Sequence, residues 1–402
     1  MGVIMGREEK INRFERYLTG KEGTYETWIK AAKDYVGKFD EGQLAYMSLK
    51  PFGGDMFNES YFTLMYNLLN LLKQISLQRG SRVLEVGSGP GWVTEILMGL
   101  GYKVDCLEPS EDFVDFARTR IASYAKHLKY IDFSKVKVYC ETLEQCSLPT
   151  DTYDGIIFFD ALHHIVDEKK GLDQCYRLLR PGGCIGISEG AWLPGDQQLE
   201  DFLDQEIKRF GTYESPFTID YLDYLLDSKG FVAIERYNQV NGLFPVWREN
   251  QTVRQIADSL AELSNIVIAY KPYKNGSTLD NPFGFTSAEI KLIRKQFDHN
   301  KRLANFAVEL INQGDTVWIN NRTRQKGFVT LAFYQGKLGK SNFREMPRTF
   351  LPEPVHPGQK AVIDVQYYIP KDRINEPWYF DLVNEEYYWF STRGTNPLKI
   401  EL

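Results

Sequence analysis

The residues best suited to chemistry lie in three short stretches. The first is Val83–Leu97, which reads Val-Leu-Glu-Val-Gly-Ser-Gly-Pro-Gly-Trp-Val-Thr-Glu-Ile-Leu. Val83–Val86 has the apolar density of a buried strand, Gly87–Gly91 forms a tight turn, and Trp92–Leu97 opens a helix. Glycines there let the backbone approach a ligand with no Cβ in the way, and the helix aims unpaired N–H groups at it. The spacing is Gly87-x-Gly89-x-Gly91, with Trp92 where a dinucleotide-type turn carries its third glycine. Glu85 precedes the first glycine by two positions; a carboxylate there suits a ligand with an ammonium group and repels a pyrophosphate. The second stretch, Glu108-Pro109-Ser110, closes the apolar run Lys103–Leu107. An acid about twenty positions past the turn is spaced to accept from two ribose hydroxyls. The third is Asp160-Ala-Leu-His163-His164, after the apolar run Gly155–Phe159. Histidine, with an ordinary pKa near ~6.5, is suited to remove a proton at neutral pH. His163, His164 and Asp160 are therefore the candidate bases. His163, earlier in the turn, is the first choice; His164 is expected to begin the next helix and pack.

These stretches need elements that bring them to one edge. From Arg82 onward, short apolar strands alternate with helices, which predicts an α/β domain with a doubly wound parallel sheet. Ligands in such sheets sit at the carboxyl ends of the strands, where all three stretches fall. The strands are predicted at 83–86, Lys103–Leu107, Val136–Tyr139, Gly155–Phe159, Cys184–Ser188, Phe231–Tyr237 and Ile266–Tyr270. Arg180-Pro-Gly-Gly183 reads as the turn before strand five. Helices are expected at Glu8–Leu18, Tyr25–Phe39, Tyr61–Ile75, Leu172–Leu179, Gln198–Phe210 and Ile219–Lys229. Gly242–Ser264 reads as an insertion with a helical pattern at Thr252–Leu263.

Tyr273–Phe285 is rich in Pro, Gly and Asn and reads as a linker, followed by a connecting helix at Ser287–Gln296. Beyond it, short β-prone runs separated by turn residues (Ala304–Asn312, Thr316–Ile319, Phe328–Tyr334, Arg348–Leu351, Ala361–Ile369, Trp378–Val383, Glu386–Phe390, Leu398–Glu401) predict an all-β sandwich of immunoglobulin-like type. The domain plan is thus 1–60 as an N-terminal helical extension or lid, 61–272 as the ligand-binding domain, 273–302 as linker and connecting helix, and 303–402 as the sandwich.

Composition narrows the class. The chain of 402 residues is 43% hydrophobic and 25% charged, as an ordinary globular protein is. Residues 1–272 carry 30 Lys/Arg against 40 Asp/Glu, a poor match for a phosphate backbone, so nucleic acid is not an expected partner. The 5 cysteines show no metal-type spacing and read as free thiols of a cytoplasmic protein; no metal is expected. No membrane-spanning run or secretory leader is visible.

The Glu85–Gly91 pattern, Glu108, the Asp160–His164 turn and Arg177-Leu-Leu-Arg-Pro-Gly-Gly183 together resemble the class I S-adenosylmethionine-dependent methyltransferases, with their Rossmann-like fold, over roughly residues 60–272. The resemblance implies S-adenosylmethionine as cofactor. It implies binding by Glu85, Gly87, Ser88, Gly89, Trp92, Glu108, Pro109 and Phe159, with Glu141, Thr142 and Leu143 after strand three reaching the adenine. It also implies an N-terminal segment folded over the cofactor. The absence of an Asn/Asp-Pro-Pro-Tyr turn after strand four favours an oxygen acceptor over an amine. The tail has its own resemblance. Val308–Trp318, Leu351-Pro-x-Pro-Val-x-Pro-Gly358 and Phe380-Asp-Leu-Val-x-Glu385, with Trp389-Phe390 and Gly394-Thr395, resemble β-sandwich modules of bacterial enzymes of surface-polysaccharide assembly. The expected activity is O-methylation of a sugar or glycan in polysaccharide biosynthesis. Trp318, Trp378, Tyr387 and Trp389 are candidates for sugar stacking, and the sandwich is a possible site for self-association or an assembly partner. Methylation of a non-sugar metabolite, or a glycan- or partner-binding protein that only holds the cofactor, are the alternatives.

Overall fold

The computed structural model describes residues 17–18, 23–52, 59–75, 77–127, 136–190, 192, 194–238, 265–320 and 327–402. The insertion predicted at Gly242–Ser264 and most of the helix predicted at Glu8–Leu18 lie outside the described residues. The chain divides into two compact units, Met1–Lys271 and Pro272–Leu402.

In the first unit the apolar runs become a sheet. β1 (Arg82–Val86) pairs in parallel with β2 (Lys103–Leu107) and β4 (Tyr153–Phe159). β3 (Lys137–Tyr139) adds outside β2, and β5 (Leu179–Glu189) outside β4. β6 (Val232–Asn238) and β7 (Asn265–Tyr270) complete the order β3-β2-β1-β4-β5-β7-β6. The expected doubly wound parallel sheet carries an antiparallel edge: β7 runs antiparallel to both β5 and β6. The turn predicted at Arg180–Gly183 is instead part of β5, which begins with an irregularity opposite Tyr153–Gly155.

Period-two alternation sends side chains to two cores. Leu84, Val86, Ile156, Phe158, Ile185 and Ile187 face one. It is closed by Leu172 and Leu178 of the helix Glu168–Leu178, and by Leu222 and Leu225 of the helix Ile219–Ser228. Val83, Val104, Ile157 and Ile268 face the other, under Leu68, Leu71 and Ile75 of the helix Glu59–Ile75 and Trp92 and Leu97 of the helix Trp92–Gly99.

Two further helices stand before the sheet. Tyr25–Lys33 is capped by Thr24, and Glu41–Leu49 begins in a capping box between Asp40 and Gln43. An aromatic cluster fixes them. Tyr35 meets Phe113 at 5.9 Å and Phe210 at 5.3 Å, and Phe39 joins both rings. Among the described residues no helix is long and apolar enough to cross a membrane.

The second unit is antiparallel throughout its named strand pairings. β8 (Ala288–Asp298), β9 (Leu303–Asn312) and β13 (Lys360–Tyr368) form one sheet. β10 (Val329–Gln335) and β14 (Trp378–Asn384) centre the other, with β11 (Arg344–Glu345), β12 (Thr349–Phe350), β15 (Tyr388–Trp389) and β16 (Leu398–Ile400) at their sides. Phe306 and Val308 of one sheet share a core with Leu331, Phe333 and Phe380 of the other. The connecting helix expected at Ser287–Gln296 is therefore wrong: the segment is β8. Ile290, Ile293 and Phe297 have helical spacing, but pairing along β9 overrides that local preference. Thr316–Ile319, expected as a strand, makes only isolated bridges.

Each unit owns a core, so each should fold by itself. Cutting after Lys271 is expected to leave a folded fragment that binds S-adenosylhomocysteine, checked by circular dichroism and calorimetry. An unfolded fragment beside a folded full chain would refute the division.

Candidate functional site

A cavity of about 240 Å³ opens at the carboxyl ends of β1, β2 and β4, where Val86, Leu107 and Phe159 line it. Its floor is the glycine turn. Gly87, Gly89 and Gly91 have φ of 68°, 50° and 81°, a region costly to other residues. A Cβ on Gly87 would lie 2.7 Å from the Ala161 Cβ, whereas one on Gly89 would meet nothing within 4 Å. The turn thus packs against the strand-four loop on one side and leaves open space on the other. Ser88 lines the cavity, and its hydroxyl is buried with no hydrogen-bond partner.

Glu108 lines the cavity and is only 6% exposed. Its two oxygens accept from the Gly89 N–H at 2.9 Å and the Ser110 N–H at 3.0 Å. Burial pushes its pKa up to about 7, against the pull of those two amides. Each oxygen keeps a lone pair for a hydroxyl donor. Pro109, Glu141, Thr142, Leu143, Trp92 and Phe159 line the cavity too, with Trp92 and Phe159 edge-to-face at 5.4 Å. Glu141 already accepts from the Ser147 N–H at 2.6 Å and hydroxyl at 2.8 Å.

Two expected site residues are placed elsewhere. Glu85 is not on the cavity wall. Period two puts it on the face of Val83, where it is 3% exposed and accepts from the Thr94 hydroxyl. Burial raises its pKa to about 8. Strand alternation was the signal that could have assigned it. His163 is likewise off the wall. Its Nδ1 lies 2.7 Å from Glu189 Oε2, and its Nε2 lies 3.5 Å from Glu214 Oε2. Burial opposes its charge, but Glu189, Glu214 and Asp160 outweigh burial and raise its pKa well above 6.5. Burial likewise pushes Glu214 up, yet His164 and His163 hold it down at about 2. His163 is thus a clamped cation at neutral pH, unsuited to take a proton.

His164, expected to pack, is the histidine on the wall. Its Nδ1 is 2.8 Å from the Tyr213 carbonyl, which can only accept, so Nδ1 carries the proton. In the neutral ring Nε2 is then the atom with a lone pair. Asp160 lines the cavity with φ at 54° and its N–H on the Ser188 carbonyl. The loop is held by Glu189, whose Oε1 accepts from the Ala161 N–H at 2.9 Å and from the Leu162 N–H.

Sequence reading missed much of the remaining wall. Ile29, Ala32, Tyr35, Met47 and Lys50 come from the N-terminal helices, and Thr212 and Tyr213 from the loop after the helix Gln197–Phe210. None belongs to a motif; only long-range packing brings them here.

Residues 84–187 match the family model described as a methyltransferase domain. This domain is an S-adenosylmethionine-dependent methyltransferase. An uncharacterized methyltransferase of a Geobacillus species is 27% identical over 211 residues, covering 50% of this chain and 91% of its own. The human mitochondrial ubiquinone biosynthesis O-methyltransferase is 25% identical over 206 residues, covering 47% of this chain and 54% of its own, so the match spans about half that relative's length. Among solved structures, phosphoethanolamine N-methyltransferase 2 of Haemonchus contortus is similar at a TM-score of 0.40 and 18% identity, over 64% of this chain and 59% of that one. The methyltransferase domain's cavity fits the cofactor: an open glycine cradle and a buried carboxylate both line it.

Proposed function

We propose that the domain transfers a methyl group to a hydroxyl oxygen of a small acceptor, with a sugar or glycan hydroxyl as the acceptor class. The observation that carries the oxygen assignment is His164, on the cavity wall with Nδ1 protonated by its bond to the Tyr213 carbonyl. S-adenosylmethionine, when bound, supplies a methyl group activated by its sulfonium sulfur. Glu108 would accept from the two ribose hydroxyls, and Leu143 would pack on the adenine. The Gly87–Gly91 turn leaves room for the methionyl part. His164 Nε2 would take the proton of the acceptor hydroxyl as that oxygen is methylated. Holding both reactants in one cavity supplies the positioning, worth up to ~7–11 kcal/mol.

The sugar assignment rests on the resemblance of the tail to polysaccharide-assembly modules. Its aromatic support is reduced: Trp318 and Trp378 are fully buried in the second unit's core. Trp389, half-buried, is packed by Tyr334, Phe343 and the Arg348 guanidinium. The human ubiquinone relative favours a second acceptor class, a non-sugar hydroxyl. Transfer of labelled methyl from S-adenosylmethionine to a panel of nucleotide sugars, glycans, phenols and amines tests both. Label in a base-stable methyl ether is expected; label only on nitrogen would overturn the oxygen assignment.

A further inference from the structure

Lys50 lies at the end of the helix Glu41–Leu49, is partly buried, and lines the same cavity as Asp160. Among the described residues no carboxylate comes within ion-pair distance of its ammonium; its recorded neighbour is the Tyr46 ring, 5.8 Å from Nζ. A partly buried amine on a cavity wall without an anion is costly; Asp160 is exposed, with the His163 cation near it. Lys50 and Asp160 offer opposite charges to one space without closing on each other. That pattern complements a zwitterion.

We infer that Lys50 and Asp160 hold the α-amino-acid end of the methyl donor, Lys50 pairing with its carboxylate and Asp160 with its ammonium. This rests on the methyltransferase reading and deepens it. It also answers what Glu85 leaves open: the carboxylate expected to meet the ammonium faces Thr94 in the core. The cavity's own carboxylates divide naturally. Glu108 is tied to the glycine turn, Glu141 to Ser147, and the buried Glu144 to the Asp167 N–H. Asp160 is the acid just past the end of β4, in the wall that Lys50 also lines. Its charge already acts on Lys50: burial lowers the lysine's pKa, and Asp160 works against that. The N-terminal helices thereby add a donor contact of their own to those of the sheet edge.

Calorimetry on the full chain tests this with three ligands: S-adenosylhomocysteine, 5′-methylthioadenosine, which lacks the amino-acid group, and 5′-(3-carboxypropylthio)-5′-deoxyadenosine, which keeps the carboxylate and lacks the amine. Lys50→Met should weaken S-adenosylhomocysteine and the carboxypropyl compound about ten- to hundredfold and leave methylthioadenosine within about twofold, as expected for one lost charge-assisted bond. Lys50→Arg should restore most of the loss. Asp160→Asn should weaken S-adenosylhomocysteine but not the carboxypropyl compound. Equal weakening of all three ligands by Lys50→Met would reduce Lys50 to packing and overturn the inference. So would unchanged S-adenosylhomocysteine binding with a raised acceptor KM, which would give the lysine to an acidic acceptor instead. A wild-type chain that binds none of the three would overturn the methyltransferase reading and the inference with it.

Discussion

His164→Ala is expected to lower kcat for methyl transfer about 10²–10⁴-fold, the usual contribution of a positioned base. An alcohol is too weak an acid to ionise at neutral pH, so its proton must leave as the new bond forms. His164 has the geometry for this: it lines the cavity, and the Tyr213 carbonyl fixes the tautomer. Because the ring acts on the acceptor, affinity for S-adenosylhomocysteine should stay within about twofold, and the loss should fall on kcat and kcat/KM alike. The neighbouring histidine provides the contrast. His163→Ala leaves Glu189 and Glu214 without their shared cation, so its effect should appear as a lower melting temperature. Steady-state kinetics and thermal melts on both variants separate the roles. An unchanged turnover in His164→Ala would remove it as the base.

Glu108→Ala is expected to weaken S-adenosylhomocysteine by about 1.5–3 kcal/mol, the range for hydrogen bonds to a charged group, or roughly ten- to 150-fold. The side chain does two things at once. It faces the cavity, and it ties the Gly89 and Ser110 amides together, so its loss also loosens the turn. Glu85→Gln is the matched comparison. Its carboxyl lies under the helix Trp92–Gly99 and not on the wall, so cofactor affinity should move by less than about twofold on the same scale. Calorimetry decides between them; equal losses for the two variants would mean that Glu85 reaches the ligand after all.

The parts of the site legible in the sequence were those fixed by local backbone chemistry. The glycine turn needs positive φ at Gly87, Gly89 and Gly91, and the spacing of Glu108 follows from one strand–helix–strand unit. The Asp160–His164 loop was expected at the strand ends, where open sheets present ligands, and Asp160 and His164 line the cavity there. Which histidine lines the cavity was not legible. It depends on Glu189, 26 positions away from His163, and on Glu214 from another loop. The fold shows the same division. β9, β10, β13 and β14 have clear strand patterns, while β8 mixes apolar and charged residues and is settled only by its partner β9. The resemblance placed the N-terminal segment over the cofactor, but the helix Glu41–Leu49 and the residues that reach the cavity from Ile29 to Lys50 were not legible, since no motif announces them.

Glu189 closes the account in a different currency, that of disorder. Four groups depend on this one buried side chain: the amides of Asp160's two successors, the His163 ring and, through that ring, Glu214. It sits on the last residue of β5, inside a sheet whose register is set during folding. The Asp160–His164 loop is therefore ordered when the chain folds, and its freedom is lost once, at that moment. Each turnover starts from a loop already in place, so the barrier carries no further entropic contribution from arranging it.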